Sequence, residues 1–258
     1  MTHLEDRIMA SAIARSREPQ VHTEPKPAAP PIPPLENGDR LTRAEFERRY
    51  DAMPHLKKAE LIEGIVYMGS PVSYDHHGKP HFDAIGWLCQ YRYFTPGVDG
   101  ADNASVRLDL DNMPQPDAFL MILPGCGGQA RVTEDDYVEF APELIVEVAS
   151  SSVSYDLHAK LQVYRRNGVR EYVIWRTRDR EVDWFTFVEG AYVRQPLGAD
   201  GLYRSVALPG LWLDPKALID DDRPRMVAVN QQGTATPEHA AFVERLRLAA
   251  AAKPPVGA

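Results

Sequence analysis

With 258 residues, 44% hydrophobic content and a formal net charge of −8 at pH 7, the chain is long enough for one substantial core. It is also too acidic for a protein that coats nucleic acid non-specifically. No apolar run reaches the roughly eighteen residues a membrane helix needs, and Cys89 and Cys126 are too few for a disulfide framework or a zinc site.

The first twenty residues mix acids, bases and short apolar pieces. They lack the continuous apolar stretch of a secretory signal, which predicts a cytoplasmic protein. Residues 1–39 carry the proline-dense stretch Glu24–Pro34, which cannot build a helix or a central strand, and predict a disordered tail. An ordered domain is expected over residues 40–219. Thr42 and Glu45 form a capping-box signature ahead of Phe46 and Tyr50, so a short helix covers roughly 43–52. Residues 60–68 read as a strand kinked at Gly64. Residues 75–94 carry Phe82, Ile85, Leu88 and Cys89 at helical spacing.

Strand signals follow at 105–110, 117–123 and 143–149, the last the strongest. The stretch between the second and third is rich in Gly and acids and reads as surface. A helix is expected over 154–167, ending at Gly168 as a residue past its C-cap. Strands then follow at 171–175, 182–188 and 192–195. Residues 220–258 read as a polar linker and a last amphipathic helix near 237–251. The pattern is that of a single α/β domain built on a mixed sheet.

Three residues carry the chemistry. Asp117 follows Pro116 and opens an apolar run, so it sits at a strand start. Glu147 interrupts Leu144, Ile145, Val146 and Val148, where burial is hard to avoid, and an unpaired carboxylate there is costly unless a cation accompanies it. At about 100° per residue, Lys160 lies roughly 60° from Leu157 and borders the apolar stripe of Leu157, Leu161 and Tyr164. Alone it could be a lysine whose stem packs and whose ammonium reaches water. Beside two acids it would complete a divalent-metal site for cutting phosphodiesters. From Lys160 to Arg180 seven bases face two acids. Such a run is either a solvated face or a guide for a phosphate backbone.

Taken in order, Pro116 and Asp117, then Pro142 to Ser150 around Glu147, then Lys160, Tyr164, Gly168, Val169, Glu171 and Tyr172 resemble the PD-(D/E)xK nuclease superfamily, in its bacterial Uma branch. The resemblance covers roughly residues 41–215. It implies a restriction-endonuclease-like α/β core, a mixed β-sheet flanked by helices, with a Mg²⁺-dependent site (Mn²⁺ as an alternative) that cleaves DNA. On it, Asp117 and Glu147 are the metal-binding acids. The lysine usual two residues after the second acid is absent, since position 149 is Ala. Lys160 on the following helix matches the lysine of this branch. Glu63 resembles an early acid that would complete the site, and His76 and His77 fall where the branch carries histidine. Nucleases that cut both strands often act as homodimers, and the sequence leaves the oligomeric state open. The competing reading is a catalytically inactive nucleic-acid- or partner-binding module on the same fold, in which Arg165, Arg166 and Arg170 would matter more than Glu147.

Overall fold

Side-chain alternation along two apolar runs sets the architecture. In a strand, neighbouring side chains point to opposite faces, and both faces of this sheet are covered. The computed structural model describes residues 31–69 and 71–252. The chain divides into residues 1–31, of which only Pro31 is described, and a compact unit, Ile32–Ala258.

The compact unit opens with helix α1 (Arg43–Asp51), N-capped by Thr42, whose side chain accepts from the Glu45 N–H. A hairpin of β1 (Ala59–Ile62) and β2 (Ile65–Met68) follows. A π-helical turn at Tyr74–Gly78 leads into α2 (Lys79–Tyr93). Then come β3 (Val98–Asp102), β4 (Val106–Arg107), β5 (Ala118–Ile122), β6 (Arg131–Val132), β7 (Val138–Glu139) and β8 (Leu144–Ala149). Next, α3 (Val153–Tyr155), a π turn at Asp156–Lys160 and α4 (Leu161–Arg166) form one helical run. Strands β9 (Glu171–Arg176), β10 (Glu181–Val188) and β11 (Ala191–Arg194) complete the main sheet. After them lie β12 (Tyr203–Arg204), β13 (Trp212–Leu213), α5 (Pro215–Ile219), α6 (Arg223–Thr234) and α7 (Pro237–Ala252).

The main sheet has the order β11-β10-β9-β8-β5-β3. Only β8 and β9 pair in parallel, joined by the α3–α4 crossover; the other neighbours are antiparallel. The expected α/β class with a mixed sheet between helices is what the chain forms. On one face Leu120, Val146, Val148 and Trp184 pack with Trp87, Leu88 and Tyr91 of α2 and with Phe242 and Leu246 of α7. On the other, Phe119, Met121, Ile145 and Tyr172 pack with Val163 and Tyr164 of α4.

Four expectations change. The kinked strand over 60–68 is a two-residue hairpin, because Glu63 and Gly64 both take positive φ (52° and 71°) and turn the chain back on itself. The strand over 105–110 shrinks to Val106–Arg107, paired in parallel with β7, in a small sheet that also organises the stretch read as surface. Of the tail over 1–39, residues 1–30 lie outside the described residues, whereas Leu35 is buried with Phe46 and Val66, and the Gly38 N–H donates to Val66 O at 2.8 Å. Finally, the polar linker after residue 220 contains α6. Its polar residues hide a narrow stripe of Met226, Val229, Asn230 and Gly233, all buried, which packs on α2 and β13. The Asn230 side-chain amide donates to Trp87 O at 2.9 Å. Gly233 permits the approach, since a Cβ there would fall 2.2 Å from Gly210 O.

Among the described residues no helix is long and apolar enough to cross a membrane.

Candidate active site

Strand parity delivers the two acids. Asp117 shares the α4-facing side with Phe119 and Met121, and Glu147 shares it with Ile145 and Ala149. The antiparallel register pairs Ala118 with Val146, so one step further along places Asp117 opposite Glu147. The strand pairing ends there with the Val148 N–H donating to Asp117 Oδ2 at 2.8 Å.

Lys160 comes from the α3–α4 crossover. Reckoned on a straight helix it borders the apolar stripe, but the π turn at Asp156–Lys160 inserts a wider turn, and Lys160 is buried more deeply than Leu157 and Leu161 of that stripe. Its Nζ donates to Glu147 Oε1 at 2.8 Å, pairs with Glu60 Oε1 at 2.9 Å, and lies 3.9 Å from Asp156 Oδ1. Tyr164, one turn on, donates its hydroxyl to the same Glu147 Oε1 at 2.9 Å. Both hydrogen bonds to Glu147 thus go to one oxygen.

Lys58 and two histidines serve Asp117. Lys58 Nζ lies 3.2 Å from Asp117 Oδ1, and His77 Nε2 lies 3.7 Å from that oxygen. His77 Nδ1 bonds Val148 O at 2.9 Å. A carbonyl can only accept, so that nitrogen carries the proton. His81 Nε2 bonds Asp117 O at 2.7 Å. Asp117, Glu147, Lys160, Glu60, Lys58 and His77 border one cleft of about 390 Å³.

Asp117, Glu147 and Lys160, singled out from the sequence, therefore converge. Glu63 does not. It occupies the hairpin turn, half exposed, and pairs with Arg166 at 2.9 Å. The acid that reaches the cleft is Glu60, and strand alternation identifies it: Glu60 shares a face with Ile62, which packs in the α4-side core, whereas Leu61 packs in the α1-side core. Glu60 is anchored by the Gln115 N–H at 2.8 Å. His76 does not border this cleft, whereas His77 does. Lys58 and Asp156 carry no sequence signal beyond their charge, and only the fold brings them in.

The electrostatics follow from burial. Four carboxylates (Glu60, Asp117, Glu147 and Asp156) line the cleft against three cations, Lys58, Lys160 and the exposed Arg178, a formal excess of one negative charge before any proton is bound. Burial pushes the Glu147 carboxyl up to about 8, with Asp117, Asp156 and Glu60 adding to it against the opposing pull of Lys160. Burial also works against the Lys160 charge, but Glu147, Glu60 and Asp156 outweigh it and hold the ammonium well above its usual range. The two directions pull apart across one contact, and the charge excess reconciles them. One lysine shared among three acids stays protonated, and Glu147, the most enclosed acid, takes up a proton when no further cation is present. For Asp117, Lys58, His77 and Lys160 outweigh burial and keep the carboxyl below its usual value.

The donor set fits a magnesium-like ion. Mg²⁺ keeps several waters and takes only one or two protein carboxylates. Asp117 and Glu147 offer hard oxygens in a cleft whose carboxylates outnumber its cations. Among the described residues no closed group of three or more His, Cys, Asp or Glu is arranged around a metal position.

The model of one protein family, Uma2, described as "Putative restriction endonuclease", matches residues 43–216, more than half of the chain. The chain belongs to the Uma2 family. The matched span runs from α1 to α5 and includes every residue of the cleft. Helices α6 and α7 lie beyond it. Among solved structures, this Uma2 chain is similar to one described as "a putative nuclease belonging to DUF820" from Anabaena variabilis ATCC 29413. The identity is 13% and the TM-score 0.49, over 67% of this chain and 96% of that one. No curated protein matches.

Proposed function

We propose that this Uma2 chain is a divalent-metal-dependent nuclease that hydrolyses DNA phosphodiesters, with Asp117 and Glu147 as the metal-binding acids and Lys160 as the catalytic lysine. The observation that carries this reading is the buried Lys160 ammonium shared between Glu147 and Glu60 in a cleft whose carboxylates outnumber its cations. A divalent ion would take the place of the proton that Glu147 holds in its absence. Family membership supports nuclease chemistry in general, and the choice of Mg²⁺ or Mn²⁺ and of DNA rests on the residues.

A bound Mg²⁺ would supply Lewis acidity toward the scissile phosphate and offset the excess of carboxylates. The protein's own residues do the rest. Asp117 and Glu147 present oxygen donors from adjacent strand positions. Tyr164, kept a neutral donor by burial and by the Glu147 charge, fixes the Glu147 carboxyl in one rotamer. Glu60 and Asp156 keep Lys160 charged, so its remaining N–H can orient an attacking water or stabilise charge developing on the phosphate.

The test is nicking of supercoiled plasmid in Mg²⁺ or Mn²⁺ beside an EDTA control. Glu147→Gln should lower cleavage by orders of magnitude while the protein stays folded, and Lys160→Ala should suppress cleavage in protein that thermal melts show to be folded. Lys160→Ala should leave metal binding largely intact, since lysine is not a ligand here. Cleavage that survives both substitutions refutes the site. Wild-type protein that binds no metal and cuts nothing points instead to the binding-module reading.

A further inference from the structure

The two lysines of the cleft differ in kind. Lys160 is sealed, with a side chain 4% exposed beneath three carboxylates. Lys58 reaches Asp117 from the cleft edge, its side chain 32% exposed against 6% for Asp117. It also keeps a second acceptor, Asn103 Oδ1, at 3.1 Å. Asn103 is well placed for this: it takes the left-handed conformation (φ 49°), and its carbonyl accepts from the Gln115 side-chain amide at 2.5 Å. The Lys58 stem lies against Gly69, where a Cβ would meet it at 3.3 Å.

Asp117 has two oxygens, and Oδ2 is taken by the Val148 N–H. With Oδ2 already engaged by a buried backbone donor, the more accessible oxygen for a metal ion is Oδ1, the one that Lys58 holds. Lysine is a point charge on a flexible stem, so it changes partners readily. Lys58 has Asn103 to fall back on, whereas Lys160 could leave only by abandoning three buried acids.

We propose that Lys58 is the cation that holds Asp117 in the metal-free protein, and that metal entry displaces its ammonium to grip a substrate phosphate at the cleft edge. The proposal rests on the metal-dependent nuclease reading. It makes Lys58 a substrate-binding residue that couples metal uptake to substrate binding: the metal releases the group that the polyanion needs.

Calorimetric titration of the full chain with Mn²⁺, without nucleic acid, tests the first half. Lys58→Met removes a competitor, so it should bind Mn²⁺ about tenfold more tightly than wild type, equivalent to roughly 1.4 kcal/mol. A duplex oligonucleotide titrated in Ca²⁺ tests the second half. There Lys58→Met should bind more weakly than wild type, whereas in EDTA, with Lys58 held on Asp117, the two should bind alike. Lys58→Arg keeps the cation and should leave both affinities near wild type. If thermal melts show that Lys58→Met fails to fold, Lys58→Gln takes its place. Unchanged or weaker Mn²⁺ affinity in the variant, in a wild type that does bind Mn²⁺, overturns the Lys58 assignment alone. A loss of oligonucleotide binding as large in EDTA as in Ca²⁺ does the same. Wild type that takes up no Mn²⁺ overturns the metal-dependent reading, and this proposal with it.

Discussion

Replacing Glu147 by Gln keeps the shape of the side chain and an acceptor for Lys160 and Tyr164, but it removes a titration. In metal-free protein burial raises this carboxyl from its ordinary 4.5 to about 8. For an acid whose folded value is raised, the folded state holds its proton over a pH range in which the unfolded chain has released it. The associated stability is complete below the unfolded value and is lost as pH rises toward the folded one. From about pH 5 to pH 8 that is three units at roughly 1.4 kcal/mol each, less the rounding near each midpoint, or on the order of 3–4 kcal/mol. In a domain of this size 1 kcal/mol shifts the thermal midpoint by roughly 2–4 °C, so the total is about 6–16 °C. Glu147→Gln lacks this term, while the other titrating groups are common to both proteins. The Tm advantage of Glu147→Gln over wild type should therefore widen by about that much between pH 5 and pH 8. Thermal melts of the two proteins by circular dichroism, in EDTA at each pH, measure the gap. A gap that stays constant across this range would mean that Lys160 keeps Glu147 ionised throughout, and the charge-excess reasoning would fail.

Lys160→Met should act in the opposite sense, because it leaves Glu60 and Asp156 buried without their cation. A loss of about 3–5 kcal/mol is expected in neutral buffer, measured by urea denaturation and shrinking in acid as the carboxyls take up protons. Glu63→Ala removes only an exposed pair with Arg166, so stability should change by less than about 1 kcal/mol and plasmid nicking should match wild type; loss of nicking would return Glu63 to the site. Gly128→Ala should yield little folded protein, since its Cβ would fall 1.7 Å from Ile122 O, as soluble expression and melts will show.

Much of this architecture could be read along the chain. Apolar runs with an acid at a strand start and another inside a strand marked β5 and β8. The helical stripe that followed them marked the crossover, and its lysine was recognisable as the partner of those acids. These features are local: alternation, helical spacing and the expense of burying a lone charge act within a few residues of one another. Asp117, Glu147 and Lys160 were legible for that reason. The C-terminal helices were only half legible, because the stripe that packs α6 on α2 includes Asn230 and Gly233, which look like surface residues until a partner helix approaches.

What only the tertiary structure decided is which other charges share the cleft. Glu60 and Glu63 lie three residues apart in one acidic segment, and the choice between them depends on where the hairpin turns. The positive φ at Glu63 and Gly64 puts Glu63 in the turn and sends Glu60 inward with Ile62. The π turn at Asp156–Lys160, which brings Lys160 fully under the sheet, has no periodic signature in the sequence. Lys58 reaches Asp117 across 59 positions of chain because the β1–β2 hairpin packs beside the sheet. Electrostatic contacts fall off with distance in space and are indifferent to distance in sequence. Asp117, Glu147 and Lys160 could therefore be named from the chain alone, whereas the charge balance around them exists only in the folded protein.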